Sequence, residues 1–254
     1  MRAVSLHIAR MPAGSPEVRI FEHRSDAEDL ALDELRQVAR RDGRPLVSFA
    51  TGATYTGMLK KLHQEAVAAR IPLSRIRVTH LDEYEGLGPK ELGSMVHELC
   101  EACPSLRAMV DDGSFTPVPC VADARIAERH EQELMKMGGV ALQYLGIGRN
   151  GHLAFHEPFV PFDRGYHIAQ LSETTRKDAA GRFGSTPVPH RAITAGIATI
   201  LRSARIVLSA FGLGKANAVA SMLRGEAGPS CPASALRSHQ SVLVLVDREA
   251  ASLL

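Results

Sequence analysis

Four short runs of this chain are apolar at nearly every position: LVSFA (46–50), VALQYLGI (140–147), RIVLSAF (205–211) and SVLVLVD (241–247). A strand with one solvated face alternates apolar and polar residues; a run apolar throughout must be covered on both faces. VRIF (18–21) and RIRVTHL (75–81) read as further strands, and HIAQL (167–171) as another. Helical patterns lie between them. Ser25 with Glu28 three residues on has the spacing of a capping box, followed by a helix that Gly43 stops. Tyr55, Met58, Leu59, Leu62 and Ala66 share one helical face. A helix is expected over 91–100. Asp123 is placed to cap another, with Ile126, His130, Leu134 and Met137 on one face and Gly138-Gly139 closing it. Further helices are expected near 175–183, 194–202 and 215–224. Strands that alternate with helices, several of them apolar on both faces, predict an α/β fold: a mostly parallel, Rossmann-like sheet with helices on both faces.

No break in composition, linker or internal repeat divides the chain, so an N-terminal arm (1–17) and a single α/β domain (18–254) are expected. The 254 residues are 45% hydrophobic and 23% charged, the balance of a globular protein, and their net charge of +2 gives no pull toward nucleic acid or an anionic membrane surface. No apolar run approaches the ~18 residues of a membrane span. His7 and Arg10 interrupt the N-terminus where a signal peptide would be continuously apolar, which makes the cytoplasm the expected address. Cys100 and Cys103 form a lone C-x-x-C without the second pair a structural zinc site needs; buried free thiols are expected.

In folds of this class, ligands sit at the carboxyl ends of strands. That rule selects four loops: TGAT after 46–50, DEYEG after 75–81, GIGRNGH after 140–145 and FGLGK after 205–211. Gly146, Gly148 and Gly151 have G-x-G-x-x-G spacing. A dinucleotide loop should open a long helix, yet Pro158 follows seven residues after Gly151, so the glycines are read as making room for a small ligand. Thr51-Gly52-Ala53-Thr54, between a strand and a helix, offers backbone N–H groups, two hydroxyls and a positive helix end, the elements that hold a phosphate; an ordinary capped turn is the plainer alternative. Asp82 and Glu83 follow a strand, where a carboxylate drawn into a cleft can move protons. His152 and Glu157 share a tight segment in which a carboxylate can fix an imidazole tautomer. His152 and His156 are spaced as a metal pair, but no third ligand stands out. Arg176 and Lys215 are surface cations by default, or partners for a dianion.

Taken together, the segments ATGAT, LDEYEGL, LGIGRNGHLAFHEP, TTRKDAAGRFG, AITAGIATIL, FGLGKANAV and CPASALRSH resemble, in order from about Val18 to Asp247, the glucosamine-6-phosphate deaminase (isomerase) family, which is related to 6-phosphogluconolactonase. The resemblance implies conversion of an amino-sugar 6-phosphate to a ketose 6-phosphate with release of ammonia, without a metal or organic cofactor. It implies that Asp82 moves a proton between C2 and C1, that His152 opens the sugar ring with Glu157 as its partner, and that Asn150 fills a fourth catalytic position. It assigns phosphate contacts to Thr51, Gly52, Ala53, Thr54, Arg176 and Lys215. The implied partner is the small-molecule amino-sugar 6-phosphate; a homo-oligomer is compatible with it.

Three positions depart from the family pattern. His156 stands where relatives have Asn, Phe159 where they have Gly, and Tyr55 where the phosphate loop has Pro. Phe159, close to Glu157, is expected to reshape the sugar pocket. The alternatives are deamination of galactosamine 6-phosphate, a lactonase-type hydrolase and a non-catalytic sugar-phosphate sensor. GHLAFHEP differs from the lactonase pattern G-H-x-A-S-L-F-P, and a sensor has no need of Asp82, His152 and Glu157 together.

Overall fold

A computed structural model describes His7–Ile8 and residues 16–254. Strand β1 (His7–Ile8) pairs antiparallel with β2 (Glu17–Phe21), and the rest of the expected N-terminal arm lies outside the described residues. Helix α1 (Arg24–Ala39) follows, then β3 (Leu46–Phe49), α2 (Thr56–Val67), β4 (Arg77–His80) and β5 (Asp82–Tyr84). Next come α3 (Met95–Ala102), α4 (Ser105–Asp111), β6 (Phe115–Thr116), α5 (Ala124–Lys136) and β7 (Val140–Leu145). The remainder is β8 (His167–Gln170), α6 (Glu173–Ala179), β9 (Arg191–Thr194), α7 (Ile197–Leu201), β10 (Ile206–Ala210), α8 (Ala216–Arg224) and β11 (Val242–Asp247).

Among the described residues the main sheet has eight strands in the order β1-β2-β11-β10-β7-β3-β4-β6, and every pairing after β1–β2 is parallel. Every residue of β3 and β10 is buried, as is every residue of β11 except Asp247, so both faces of the sheet are covered. Each large aliphatic side chain sealed this way contributes about 1.5–3 kcal/mol. From β3 the chain builds toward the β4–β6 edge; from β7 it builds toward β10 and β11. The crevice between β3 and β7 is thus the topological switch point, where an open α/β sheet leaves room for a ligand.

Several local expectations are corrected. Ser25 does not cap α1: the helix starts two residues earlier, at Arg24, with His23 at its N-cap, and Glu28 turns to Arg24 instead (3.0 Å). Ser94 caps the helix expected over 91–100, which begins at Met95. Asp123 does cap α5, accepting from the N–H groups of Arg125 and Ile126. Residues 191–194 are strand β9, and the helix expected over 194–202 is confined to Ile197–Leu201. The DEYEG loop begins with a strand as well. β5, β9 and β8 form a second, antiparallel sheet in which Asp82 and His167 both register with Thr194. Short segments such as these take their conformation from partners distant in sequence, which local periodicity does not record.

Candidate active site

The loops after β3, β4, β7 and β10 and helix α6 converge on one cleft of about 540 Å³, a size suited to a small metabolite. Its walls include Thr51, Gly52, Ala53, Thr54, Asp82, His152 and Lys215. Asn150 and Glu157 are not on the wall but make contacts around His152. Arg176 is the one expected residue with neither a place on the wall nor a contact to this network. It is half-buried on α6 and absent from the cleft wall, and its Nε has no hydrogen-bond partner. Arg182, six positions on, is on the wall instead.

The acid–base elements are positioned by packing. Asp82 opens β5, held by register with Thr194, and is 7% exposed. Burial, reinforced by the neighbouring Glu83 carboxyl, pushes its pKa up to about 7, while Arg182 opposes the rise. Glu83 points the other way. It accepts from Tyr84 N–H (2.9 Å), the Ser94 hydroxyl (2.8 Å) and Met95 N–H (3.1 Å), tying β5 to the first turn of α3. Burial raises Glu83 too, but its donors are structural and it does not line the cleft.

His152 comes from the glycine-rich turn after β7. Gly148 N–H donates to His152 O (2.9 Å), and Gly151 N–H donates to Gly148 O (3.0 Å). A Cβ at Gly148 would collide with the His152 ring. At Gly151 the backbone has φ +83°, and a Cβ would stand 2.6 Å from Cys231 Sγ. The bare backbone therefore seats the protein's own imidazole and the 231–238 segment, where the sequence suggested room for a ligand. Burial lowers the His152 pKa, with Glu157 opposing, so the ring is neutral at pH 7. Glu157 Oε2 stands 3.8 Å from His152 Nδ1 and accepts from Asn150 Nδ2 (3.0 Å). Its Oε1 accepts from the Thr175 hydroxyl (2.5 Å). Asn150 Oδ1 in turn accepts from His152 N–H (3.2 Å), which closes the network around the turn.

The anion-binding elements lie around the loop after β3. The N–H groups of Ala53 and Thr54 have no protein acceptor among the described residues. Gly52 has φ +90°, and its Cβ position is 3.3 Å from Arg182 Nη2, so the arginine rests against the loop. Phe183 anchors that arginine: it is buried, packs edge-on to Tyr84 (5.0 Å) and fills the space a Cβ at Gly93 would need. Lys215 Nζ donates to Ile147 O (2.7 Å), and burial lowers its pKa, with Arg149 adding to the effect. Sequence reasoning missed four other polar wall residues, Arg24, Arg149, Thr175 and Asp178. Arg149 and Asp178 pair at 2.5 and 2.7 Å, linking the glycine-rich turn to α6. The GRFG step, a cation beside an aromatic anchor, was the available signal for Arg182; Arg24 had none.

The three departures are not on the cleft wall. Phe159 is 77% exposed with φ +69°, so it does not reshape the pocket. Tyr55 is buried with its hydroxyl 3.0 Å from the carbonyls of Leu145 and Val207, tying α2 to β7 and β10. His156 is buried edge-on to His167 and its Nε2 lies 3.2 Å from Val160 O. No group of three or more His, Cys, Asp or Glu side chains placed to hold a metal occurs among the described residues. All four cysteines are free, and Cys100 and Cys103 are buried as expected.

A switch-point cleft with an anion-ready loop, a buried carboxyl and a neutral imidazole defines a class: α/β proteins whose chemistry suits a small phosphorylated ligand. Comparison with known proteins narrows the class. The profile of glucosamine-6-phosphate isomerases/6-phosphogluconolactonase matches residues 22–245, and the chain belongs to that family. It is 36% identical over 233 residues to the glucosamine-6-phosphate deaminase of Bacillus pumilus (strain SAFR-032), covering 90% of this chain and 97% of that one. It is 36% identical over 239 residues to that of Streptomyces coelicolor, covering 93% and 92%. Among solved structures, a monomeric glucosamine-6-phosphate deaminase superposes with a TM-score of 0.84 at 32% identity, covering 93% of this chain and 99% of that one. The 6-phosphogluconolactonase of Leishmania guyanensis shares the fold, with a TM-score of 0.74 at 20% identity over 93% and 97% of the two chains.

Proposed function

We propose that this protein is an amino-sugar-6-phosphate deaminase whose substrate is glucosamine 6-phosphate, converted with water to fructose 6-phosphate and ammonia. The observation that carries the reading is the placing of Asp82, His152 and the Thr51–Thr54 loop on one cleft, with the Asp82 carboxyl raised to about 7. The names of the relatives support the deaminase over the lactonase alternative.

The phosphate is held by the N–H groups and hydroxyls of the loop together with Arg182 and Lys215, and serves to position the sugar. His152, neutral at pH 7, passes the O1 proton to O5 and opens the ring; Glu157 stabilises the imidazolium that forms in transit. Asp82 removes the C2 proton of the open-chain aldehyde, giving an enolamine between C1 and C2. A carboxyl with a pKa near 7 is matched to this step, since its ionised form is available and its basicity is raised. Protonation of C1 by Asp82 leaves an iminium at C2. Water adds there and ammonia departs, leaving the ketone. No step uses Arg176.

The test is liberated ammonia from purified protein supplied with glucosamine 6-phosphate or galactosamine 6-phosphate. Release from the first in preference to the second is expected. Ammonia from neither, with 6-phosphogluconolactone hydrolysed instead, overturns the reading.

A further inference from the structure

Arg24 reaches the anion loop from outside every segment that the family resemblance draws on. It sits in the first turn of α1, on the cleft wall. Its Nη2 donates to the Ala53 carbonyl (2.5 Å) and the Thr54 carbonyl (2.8 Å), and its Nε donates to Glu28 (3.0 Å). The guanidinium carbon lies over the Phe211 ring, 4.9 Å from its centre, just past the end of β10. Glu28 is 8% exposed; a Cβ at Gly57 would overlap its carboxylate, so close helix contact fixes it in place. Lys61 Nζ lies 3.5 Å from the other Glu28 oxygen.

Two consequences follow for a dianion. The carbonyl oxygens of a phosphate-binding turn carry negative partial charge, and unless they are turned away and neutralised they offset the attraction of the N–H groups. A trans peptide also holds its N–H opposite its C=O, so gripping the Ala53 carbonyl sets the direction of the Thr54 N–H, one of the two N–H groups here without a protein acceptor. We propose that Arg24, braced by Glu28 and Phe211, is a positioning residue that presets the Thr51–Thr54 loop for a phosphate dianion. The guanidinium fork is what the role requires: a lysine supplies the charge but does not grip both carbonyls and Glu28 in one plane.

This rests on the reading of the loop as the phosphate seat, and the experiment separates the two. Inorganic phosphate binding is measured by titration calorimetry, and KM and kcat with glucosamine 6-phosphate, for wild type, Arg24→Ala, Arg24→Lys and Glu28→Gln. Loss of preset geometry at a charged hydrogen-bonded seat is expected to weaken phosphate binding and raise KM in Arg24→Ala by about tenfold, with kcat within about twofold. Arg24→Lys recovers only part of this, and Glu28→Gln shows a smaller loss in the same direction. If Arg24→Ala fails to fold, the other two variants carry the test. Wild type that binds neither ligand removes the phosphate seat and Arg24's role with it. Wild type that binds, with Arg24→Ala or Arg24→Lys binding equally well, overturns the role of Arg24 alone.

Discussion

The two working parts of the cleft solve opposite electrostatic problems. Around the anion loop, guanidinium groups are paired with carboxylates: Arg24 with Glu28 (3.0 Å), Arg182 with Glu98 (3.3 Å). At the acid–base part, charges are disfavoured by burial: Asp82 is pushed up and His152 down. Pairing holds each guanidinium in a fixed place, which suits a binding pole. Burial lifts the carboxyl toward neutral pH, where it can gain and lose a proton, and keeps the imidazole neutral and ready to accept one. The supports differ accordingly. The anion loop rises from β3, a fully buried strand of the main sheet, whereas Asp82 belongs to the small antiparallel sheet.

The largest expected effect breaks the acid–base part while sparing the other. Asp82→Asn lowers turnover by roughly 10²–10⁴-fold, the scale of a lost general base, with phosphate affinity retained. Near-normal ammonia release from that variant would remove Asp82 from the mechanism.

The pH dependence sharpens the contrast. Asp82 works as a base only when ionised, so kcat/KM should climb with pH up to about 7 and then level off. Stability should move the other way. The folded carboxyl titrates near 7 and the unfolded one near 3.8, so over that interval the unfolded chain binds fewer protons and stability falls as pH rises. Asp82→Asn should therefore gain on wild type in urea melts between pH 4 and pH 7, by up to about 4 kcal/mol. A constant difference across that range contradicts the raised pKa.

Substitutions in the anion part should act on binding. Lys215→Ala and Arg182→Ala are each expected to weaken phosphate binding by about 1.5–3 kcal/mol, as for lost charge-assisted hydrogen bonds, whereas Arg176→Ala leaves it unchanged. Calorimetry that ranks Arg176 with the other two would return it to the site. The smallest effect concerns Glu98, whose Oε1 accepts from Gly52 N–H (2.6 Å) and so competes with a bound dianion. Glu98→Gln should tighten phosphate binding by about 0.5–1.5 kcal/mol; weaker binding would make Glu98 a support for the loop.

Much of the main sheet was legible because each buried strand carries its own record: LVSFA and SVLVLVD are apolar at nearly every position since both their faces are covered. Lys215 and the Thr51–Thr54 loop were legible through strand-end position and family resemblance. Arg182 was legible only as a cation beside an aromatic residue in GRFG: Arg176 lies on the same short segment, and the packing of Phe183 shows which of them faces the cleft. Phe159 misled in the same way, because closeness to Glu157 in sequence says nothing about the direction of a side chain at φ +69°.

By itself, then, the sequence determined the class of sheet, the helices whose apolar faces cover it and the loops that could carry chemistry, since periodicity and turn chemistry are local properties. Tertiary structure alone decided that Asp82 lies in a strand beside Thr194, that Gly148 makes room for His152, and that Arg24 grips a loop it does not adjoin in sequence. Each of these is a contact between distant segments, and burial, the cause of the raised Asp82 and lowered His152 pKa values, exists only once those segments have met.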